Sequence, residues 1–173
     1  HEDAAQINYT YDKMSNLLTK QDQNLKMTYY IYDNIYRLTR KQYHDGTGIN
    51  YYYYDDGTLK DAADLNGTIH YTYDEWNELT QVTYPGSIAV SYTYDELGNR
   101  TSMTYPSGKV VSYAYDVMNR MKTITLEGAT PKVATYTWNQ LSQRERLDLP
   151  NGTKADYTYD TLNRLESLTN STS

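Results

Sequence analysis

Tyr-x-Tyr-Asp recurs along the chain at nearly constant intervals, and this recurrence constrains the fold more than any other feature. The acidic end of the motif falls at Asp12, Asp33, Asp55, Asp74, Asp95 and Asp116, at Asn139 in a degenerate Tyr-Thr-Trp-Asn copy, and at Asp160. Successive anchors lie 21, 22, 19, 21, 21, 23 and 21 residues apart. A fixed period of this length marks one supersecondary unit stacked in tandem, each copy burying its apolar surface only against its neighbours. The copies predict a single repeat array over residues 1–173.

Each motif position has a physical role. Alternation along a strand puts the two tyrosines of a copy on one face, as with Tyr71 and Tyr73, and sends Thr72 and Asp74 the other way. The pairs read this way are Tyr9 and Tyr11, Tyr30 and Tyr32, Tyr52 and Tyr54, Tyr71 and Tyr73, Tyr92 and Tyr94, Tyr113 and Tyr115, and Tyr157 and Tyr159, with Tyr136 alone in the seventh copy. Three residues past the anchor stand Asn77, Gly98, Asn119 and Asn163, residue types that accept left-handed backbone angles. Asp at the first position of a type I turn, with Gly or Asn at the fourth, is the pattern of a hairpin closed by a G1 bulge. Asp12, Asp33, Asp55, Asp74, Asp95, Asp116, Asn139 and Asp160 are therefore expected to form turns, their side chains accepting backbone N–H groups.

A second short strand follows each turn, as in Leu79–Val82 and Met121–Leu126, and then a second breaker: Asp45-Gly46, Asn66-Gly67, Pro85-Gly86, Pro106-Ser107-Gly108 or Pro150-Asn151-Gly152. Strand, turn, strand, turn within one period leaves no room for a helix. The predicted fold is all-β, an antiparallel meander of about eight two-stranded repeats of ~21 residues forming a curled or spiralling β-sheet. Tyrosines interleaved with Leu, Val and Met on one face are the predicted core.

Composition suits a half-wet sheet. The chain has 22 Tyr, no Phe and no Cys among 173 residues. Leu, Ile and Val together fall below the roughly 20% that usually accompanies a globular interior. Tyrosine must supply the buried area, and its hydroxyl then wants water or a partner. Without Cys, neither disulfides nor thiolate metal sites can hold the fold. A net charge of -6 opposes sequence-independent binding of nucleic acid. No apolar run approaches the ~18 residues of a membrane span. The chain opens on His1 rather than Met, so the lack of a leader leaves export open.

The chemistry of a catalytic or metal site is missing. His1, His44 and His70 form no metal-ligand spacing, there is no Gly-x-Ser-x-Gly elbow, and a carboxylate repeated in every module shapes turns rather than forming one tuned acid-base pair. No catalytic residue, metal ligand or cofactor is assigned. The acidic stretch Asp55, Asp56, Asp61 and Asp64 lacks the spacing of a calcium loop. Asn8, Asn66, Asn151 and Asn170 head Asn-x-Ser/Thr triplets, which Asn-Gly turns create for conformational reasons. Arg37, Arg100, Arg120, Arg144 and Arg164 follow their anchors by four or five residues, where they can pair with the Asp row or stack on tyrosines.

The strings Tyr92-Thr-Tyr-Asp-Glu-Leu-Gly-Asn-Arg100 and Tyr113-Ala-Tyr-Asp-Val-Met-Asn-Arg120 resemble the Rhs or YD-repeat family, whose copies read approximately Y-x-Y-D-x-x-G-R/N. The resemblance runs from Tyr9 to about Leu168. Two copies depart from it: Tyr52-Tyr-Tyr-Asp55-Asp-Gly57 carries its Gly one position early, and the seventh copy has Trp138-Asn139. The family includes bacterial polymorphic toxins, the cocoon component of insecticidal toxin complexes and the teneurins. In the toxins a spiralling sheet of such repeats walls a shell around a carboxy-terminal toxic domain. The resemblance implies a structural wall segment, part of a secreted or cell-surface bacterial protein, whose partners are neighbouring repeats of a longer parent and an encapsulated toxin domain. The family's self-cleaving Asp-Pro-x-Gly-Leu signature is absent, so neither that protease activity nor a toxin domain is assigned to these residues.

A second functional class is an adhesin or carbohydrate- or protein-binding scaffold, with exposed tyrosine rows stacking on sugar rings or a partner strand. Nothing at Glu2–Ile7 or Ser167–Ser173 resembles a dedicated cap. Open strand edges are therefore expected to continue into further repeats or to self-associate.

Overall fold

The computed structural model describes residues 6–172, in which sixteen strands pair in the order of the chain. They are β1 (Asn8–Tyr11), β2 (Leu17–Gln21), β3 (Met27–Tyr32), β4 (Leu38–Gln42), β5 (Gly48–Tyr53), β6 (Leu59–Asp64), β7 (Gly67–Tyr73), β8 (Leu79–Tyr84), β9 (Ile88–Tyr94), β10 (Arg100–Thr104), β11 (Val110–Tyr115), β12 (Met121–Leu126), β13 (Lys132–Trp138), β14 (Arg144–Asp148), β15 (Thr153–Tyr159) and β16 (Leu165–Thr172). They form one antiparallel meander that does not close into a barrel, and no helix occurs among the described residues. The all-β expectation holds because turn formers recur every half period, leaving strands of four to eight residues.

The chain divides into two compact units, one up to Ala89 and one from Val90. Within the first, the register opposes Tyr71 to Val82 and Ala62 to Ile69 on one face, while Asp61, His70 and Thr83 line up on the other. Within the second, Tyr113, Ile124 and Ala134 make one row and Tyr136, Leu147 and Ala155 another, with Ser102, Ser112 and Thr125 on the opposite face. Each unit thus has an aromatic-aliphatic face and a polar one. Hydroxyl pairs cross strands on the polar face, as between Thr10 and Thr19 at 2.6 Å and Thr158 and Ser167 at 2.7 Å.

The interleaved apolar face is present, but it is half-covered rather than a dry core. Among the described residues only Val82 and Ala155 are buried apolar side chains. A single layer has no opposing sheet or helix to exclude water, so every side chain keeps part of its surface in solvent. Wide aromatic rings are the economical way to cover a backbone under these conditions.

The third copy corrects the alignment on Asp55. Its turn begins at Tyr54, whose N–H reaches the Thr58 carbonyl at 2.9 Å while the Gly57 N–H reaches the Tyr54 carbonyl at 3.0 Å. Gly57, with φ +92°, takes the left-handed fourth position, and a Gly there is far less strained than the Thr58 that an Asp55 anchor would require. Asp55 consequently sits exposed at the turn tip, and Tyr51 and Tyr53, not Tyr52 and Tyr54, are the face-sharing pair. Tyr52 points to the other face and is more than half exposed.

β1 and β16 each have one strand neighbour among the described residues. β16 is exposed along its whole length. Of the stretch expected to lack a cap at Glu2–Ile7, residues 2–5 lie outside the described residues, as does Ser173.

Candidate functional site

The repeated chemistry of the chain lies at the anchor turns. In every copy the anchor N–H donates to the carbonyl four residues on, and the N–H three residues on donates back to the anchor carbonyl, as at Asp116 with Arg120 and Asn119, both at 2.9 Å. The fourth residue is left-handed: φ is +63° at Asn77, +78° at Gly98, +61° at Asn119 and +63° at Asn163. Ser15, Tyr36 and Ser142 occupy the same position with φ of 61° to 68°. The register slips by one residue beside each of these turns, which is the bulge.

The anchor side chain closes the turn. Its Oδ1 accepts N–H groups from residues two and four further on: Met14 and Asn16 for Asp12, Ile35 and Arg37 for Asp33, Trp76 and Glu78 for Asp74, and Leu97 and Asn99 for Asp95. Asp116, Asn139 and Asp160 do the same with Met118 and Arg120, Leu141 and Gln143, and Leu162 and Arg164. The remaining anchor atom engages the side chain four residues on. Oδ2 accepts from Arg37, Arg120 or Arg164 Nε at 2.8 Å, and from Asn16 or Asn99 Nδ2 at 2.9 and 3.0 Å. In the seventh copy the chemistry is reversed: Asn139 Nδ2 donates to Gln143 Oε1 at 2.8 Å.

These contacts set the carboxyl chemistry. Donation from the Asn16 and Asn99 side chains, followed by backbone N–H groups, holds Asp12 and Asp95 below the usual carboxylate range. Arg120 does so for Asp116 through its side chain first, and the Arg164 backbone N–H does so for Asp160. Asp12, Asp95, Asp116 and Asp160 are thus held as anions whose oxygens are already engaged by their own turns.

A second set of contacts joins each copy to the next. The ring just before an anchor donates to a carbonyl of the preceding copy: Tyr32 Oη to Leu17, Tyr53 Oη to Leu38, Tyr115 Oη to Arg100 and Tyr159 Oη to Arg144, at 2.8 to 3.1 Å. Trp138 Nε1 makes the same link to Met121 at 2.7 Å. Desolvation pushes the Tyr32, Tyr53 and Tyr115 phenols up, keeping these donors neutral, and raises the Tyr73 phenol likewise. Arg37 and Arg120, four residues past their anchors, lie over the rings of Tyr53 and Trp138 in the next copy. Arg100 and Arg144, five past theirs, lie over Tyr113 at 4.7 Å and Tyr157 at 4.3 Å. Arg37 and Arg120 thus both pair with their own anchor and stack on the next copy.

The remaining sequence-assigned tyrosines, Tyr30, Tyr71, Tyr92, Tyr94 and Tyr136, are half-buried on the same face, while Tyr9 and Tyr11 are exposed in β1. Sequence reasoning passed over Trp138, Tyr53 and Asp22. Trp138 was hidden by its indole, although its N–H replaces the phenol. Asp22 heads a turn of the same kind, its Oδ1 accepting from Asn24 and Lys26, but Leu25 occupies the left-handed position where Gly or Asn would have flagged it. Among the described residues no three His, Asp or Glu side chains converge as metal ligands would.

Hairpins of similar length, closed by Asx-capped bulge turns and latched ring-to-carbonyl onto the copy before, define a tandem β-hairpin repeat protein. The RHS Repeat family model matches residues 73–110 and 94–131, so the copies from Tyr73 to Pro131 are similar to RHS repeats. Solved structures with the same fold include the crystal structure of TcdB2-TccC3-TEV, at 14% identity and a TM-score of 0.60, and that of TcdB2-TccC3-Cdc42, at 13% and 0.56. TcdB2-TccC3 without its hypervariable C-terminal region is similar at 16% identity and a TM-score of 0.54. Each match covers 95% of this chain and 11% of the solved chain. No curated protein matches the sequence.

Proposed function

We propose that residues 1–173 are one continuous array forming a segment of shell wall, in a longer secreted or cell-surface bacterial protein that encloses a carboxy-terminal toxin domain. The supporting observation is the asymmetry of the sheet: one face aromatic and only half-covered, the other polar, with single-neighbour strands at both described ends. A wall with different inner and outer surfaces requires this asymmetry, and neighbouring repeats would pair the two open edges. The role is architectural and not catalytic.

The tyrosines favour this reading over an adhesive one. The hydroxyls of Tyr32, Tyr53, Tyr115 and Tyr159 are engaged by backbone carbonyls of the preceding copy, so these rings serve the joints between repeats and present no free polar edge to a sugar. The test is limited proteolysis of the intact gene product with its reading frame defined through both ends. A wall predicts many further repeats and a non-repetitive carboxy-terminal domain that resists protease until the shell is opened. A frame ending near Ser173 would rule out a closed shell.

A further inference from the structure

In the second unit, the residue two past the anchor is apolar in every turn: Leu97 between β9 and β10, Met118 between β11 and β12, Leu141 between β13 and β14, and Leu162 between β15 and β16. These side chains are 57% to 77% exposed. The turn does not require them. At this position it uses only the backbone N–H, donated to the anchor Oδ1, which any residue but Pro supplies, and tips of such turns are ordinarily polar. In the first unit Asp56 occupies the same place in the third copy, so the apolar row is uninterrupted only in the second.

All four turns join an odd strand to the following even strand of one meander, which places them on the same edge of the unit. Equivalent strands are two apart, about 10 Å, so the four side chains form a row about 30 Å long. Such a row amounts to a few hundred Å² of exposed apolar surface, the scale at which a patch marks an interaction site.

We infer that this row is an interface, and that its occupant is the same row on a second copy of this chain, related by a two-fold axis. Only a partner with the same spacing meets every member, and a two-fold contact supplies it without any new surface. The opposite edge of the unit is mixed: Tyr105, Val133 and Leu149 are less exposed, at 37% to 41%, and are interspersed with Ser107, Lys109, Lys132 and Asn151. Charge agrees with the antiparallel arrangement. Exposed Glu96 lies at one end of the row and, at the other, Arg164, whose side chain is 73% exposed while also paired with Asp160 at 2.7 Å. The two-fold places each beside its opposite in the partner, with Met118 facing Leu141. The patch is about half of the ~800 Å² per partner of a standard interface, so the dimer dissociates readily on dilution. This inference does not depend on the shell reading.

The test is sedimentation velocity of the full chain over a wide concentration range, beside the quadruple variant Leu97→Lys, Met118→Lys, Leu141→Lys, Leu162→Lys. Far-UV circular dichroism reports that the variant keeps its fold, as substitutions at exposed tips should allow. The expected result is a concentration-dependent dimer whose dissociation constant rises at least about tenfold in the variant. Because the chain has no Cys, Met118→Cys and Leu141→Cys copies can be mixed and oxidised, and a disulfide between them is expected, with none to an Asn170→Cys control on β16. A strictly monomeric chain, an undiminished dimer in the quadruple variant, or cross-linking only through Asn170→Cys would overturn the inference.

Discussion

Tyr159 Oη donates a 3.1 Å hydrogen bond to the carbonyl of Arg144, and the Arg144 guanidinium lies over the ring of Tyr157 at 4.3 Å. One copy thus holds the next through both atoms of a single residue, backbone and side chain. Removing the hydroxyl alone, by Tyr159→Phe, is expected to lower the stability of the second unit by about 0.5–1.5 kcal/mol, the worth of one hydrogen bond. Urea denaturation compared with wild type measures it; no change would show that the carbonyl is equally well served by water.

Trp138 fills the same latch with a different donor and also stacks on Tyr136, centroids 6.3 Å apart. Trp138→Tyr should cost less than about 1 kcal/mol, because tyrosine makes this contact in other copies, as at Tyr115 and Tyr159. Trp138→Ala should cost about 3 kcal/mol, in the range for deleting a large aromatic. The only other tryptophan, Trp76, is 74% exposed, so acrylamide should quench Trp76 preferentially and leave the Trp138 emission as a reporter of the second unit.

The anchors predict acid lability. Asp12, Asp95, Asp116 and Asp160 have pKa values lowered in the folded chain. Their contribution is therefore present above the unfolded carboxylate pKa of about 4 and is lost as pH falls through the lower folded values. Thermal melts should show midpoints that hold between pH 5 and 7, windows set by that same unfolded value, and fall below about pH 4. Asp116→Asn retains an Oδ1 acceptor for Met118 and Arg120, as Asn139 does for its own turn, and should flatten that fall while giving up the Arg120 ion pair. An equal acid response in the variant would assign the lability to other groups.

Backbone strain at the fourth turn position gives a paired test. Tyr36 sits there with φ +65°, which costs a bulky residue roughly 1–2 kcal/mol, so Tyr36→Gly should recover about 1 kcal/mol despite the entropy glycine adds to the unfolded chain. Gly108, with φ +77° and nothing within 4 Å of where a Cβ would stand, should lose about 1 kcal/mol as Gly108→Ala through conformation alone. Chemical denaturation of both variants should move the midpoint in opposite directions.

Much of the architecture was legible because local rules repeat. The Asp anchors, the Asn77, Gly98, Asn119 and Asn163 turn positions and the strand alternation around Tyr71 and Tyr73 each rest on interactions within a few residues, and the copies reinforce one another. The third copy was misaligned because four consecutive tyrosines make Tyr52 and Tyr54 as good a pair as Tyr51 and Tyr53; only the demand of Gly57 for the left-handed position separates them. The Asp22 turn escaped notice for the reverse reason, since Leu25 adopts an angle its side chain disfavours.

What the sequence determined by itself is the unit: a two-stranded hairpin with a fixed period, an acidic turn former and an aromatic face, all set by short-range backbone preference and alternation. What only the tertiary structure decided is how units meet. The ring-to-carbonyl latch spans 15 or 17 residues and the arginine stacks cross from one copy to the next, so their partners depend on register between strands. The exposure of Leu97, Met118, Leu141 and Leu162 likewise could not be read from hydrophobicity, because an apolar residue at a turn tip is outside the sheet whatever its preference for burial.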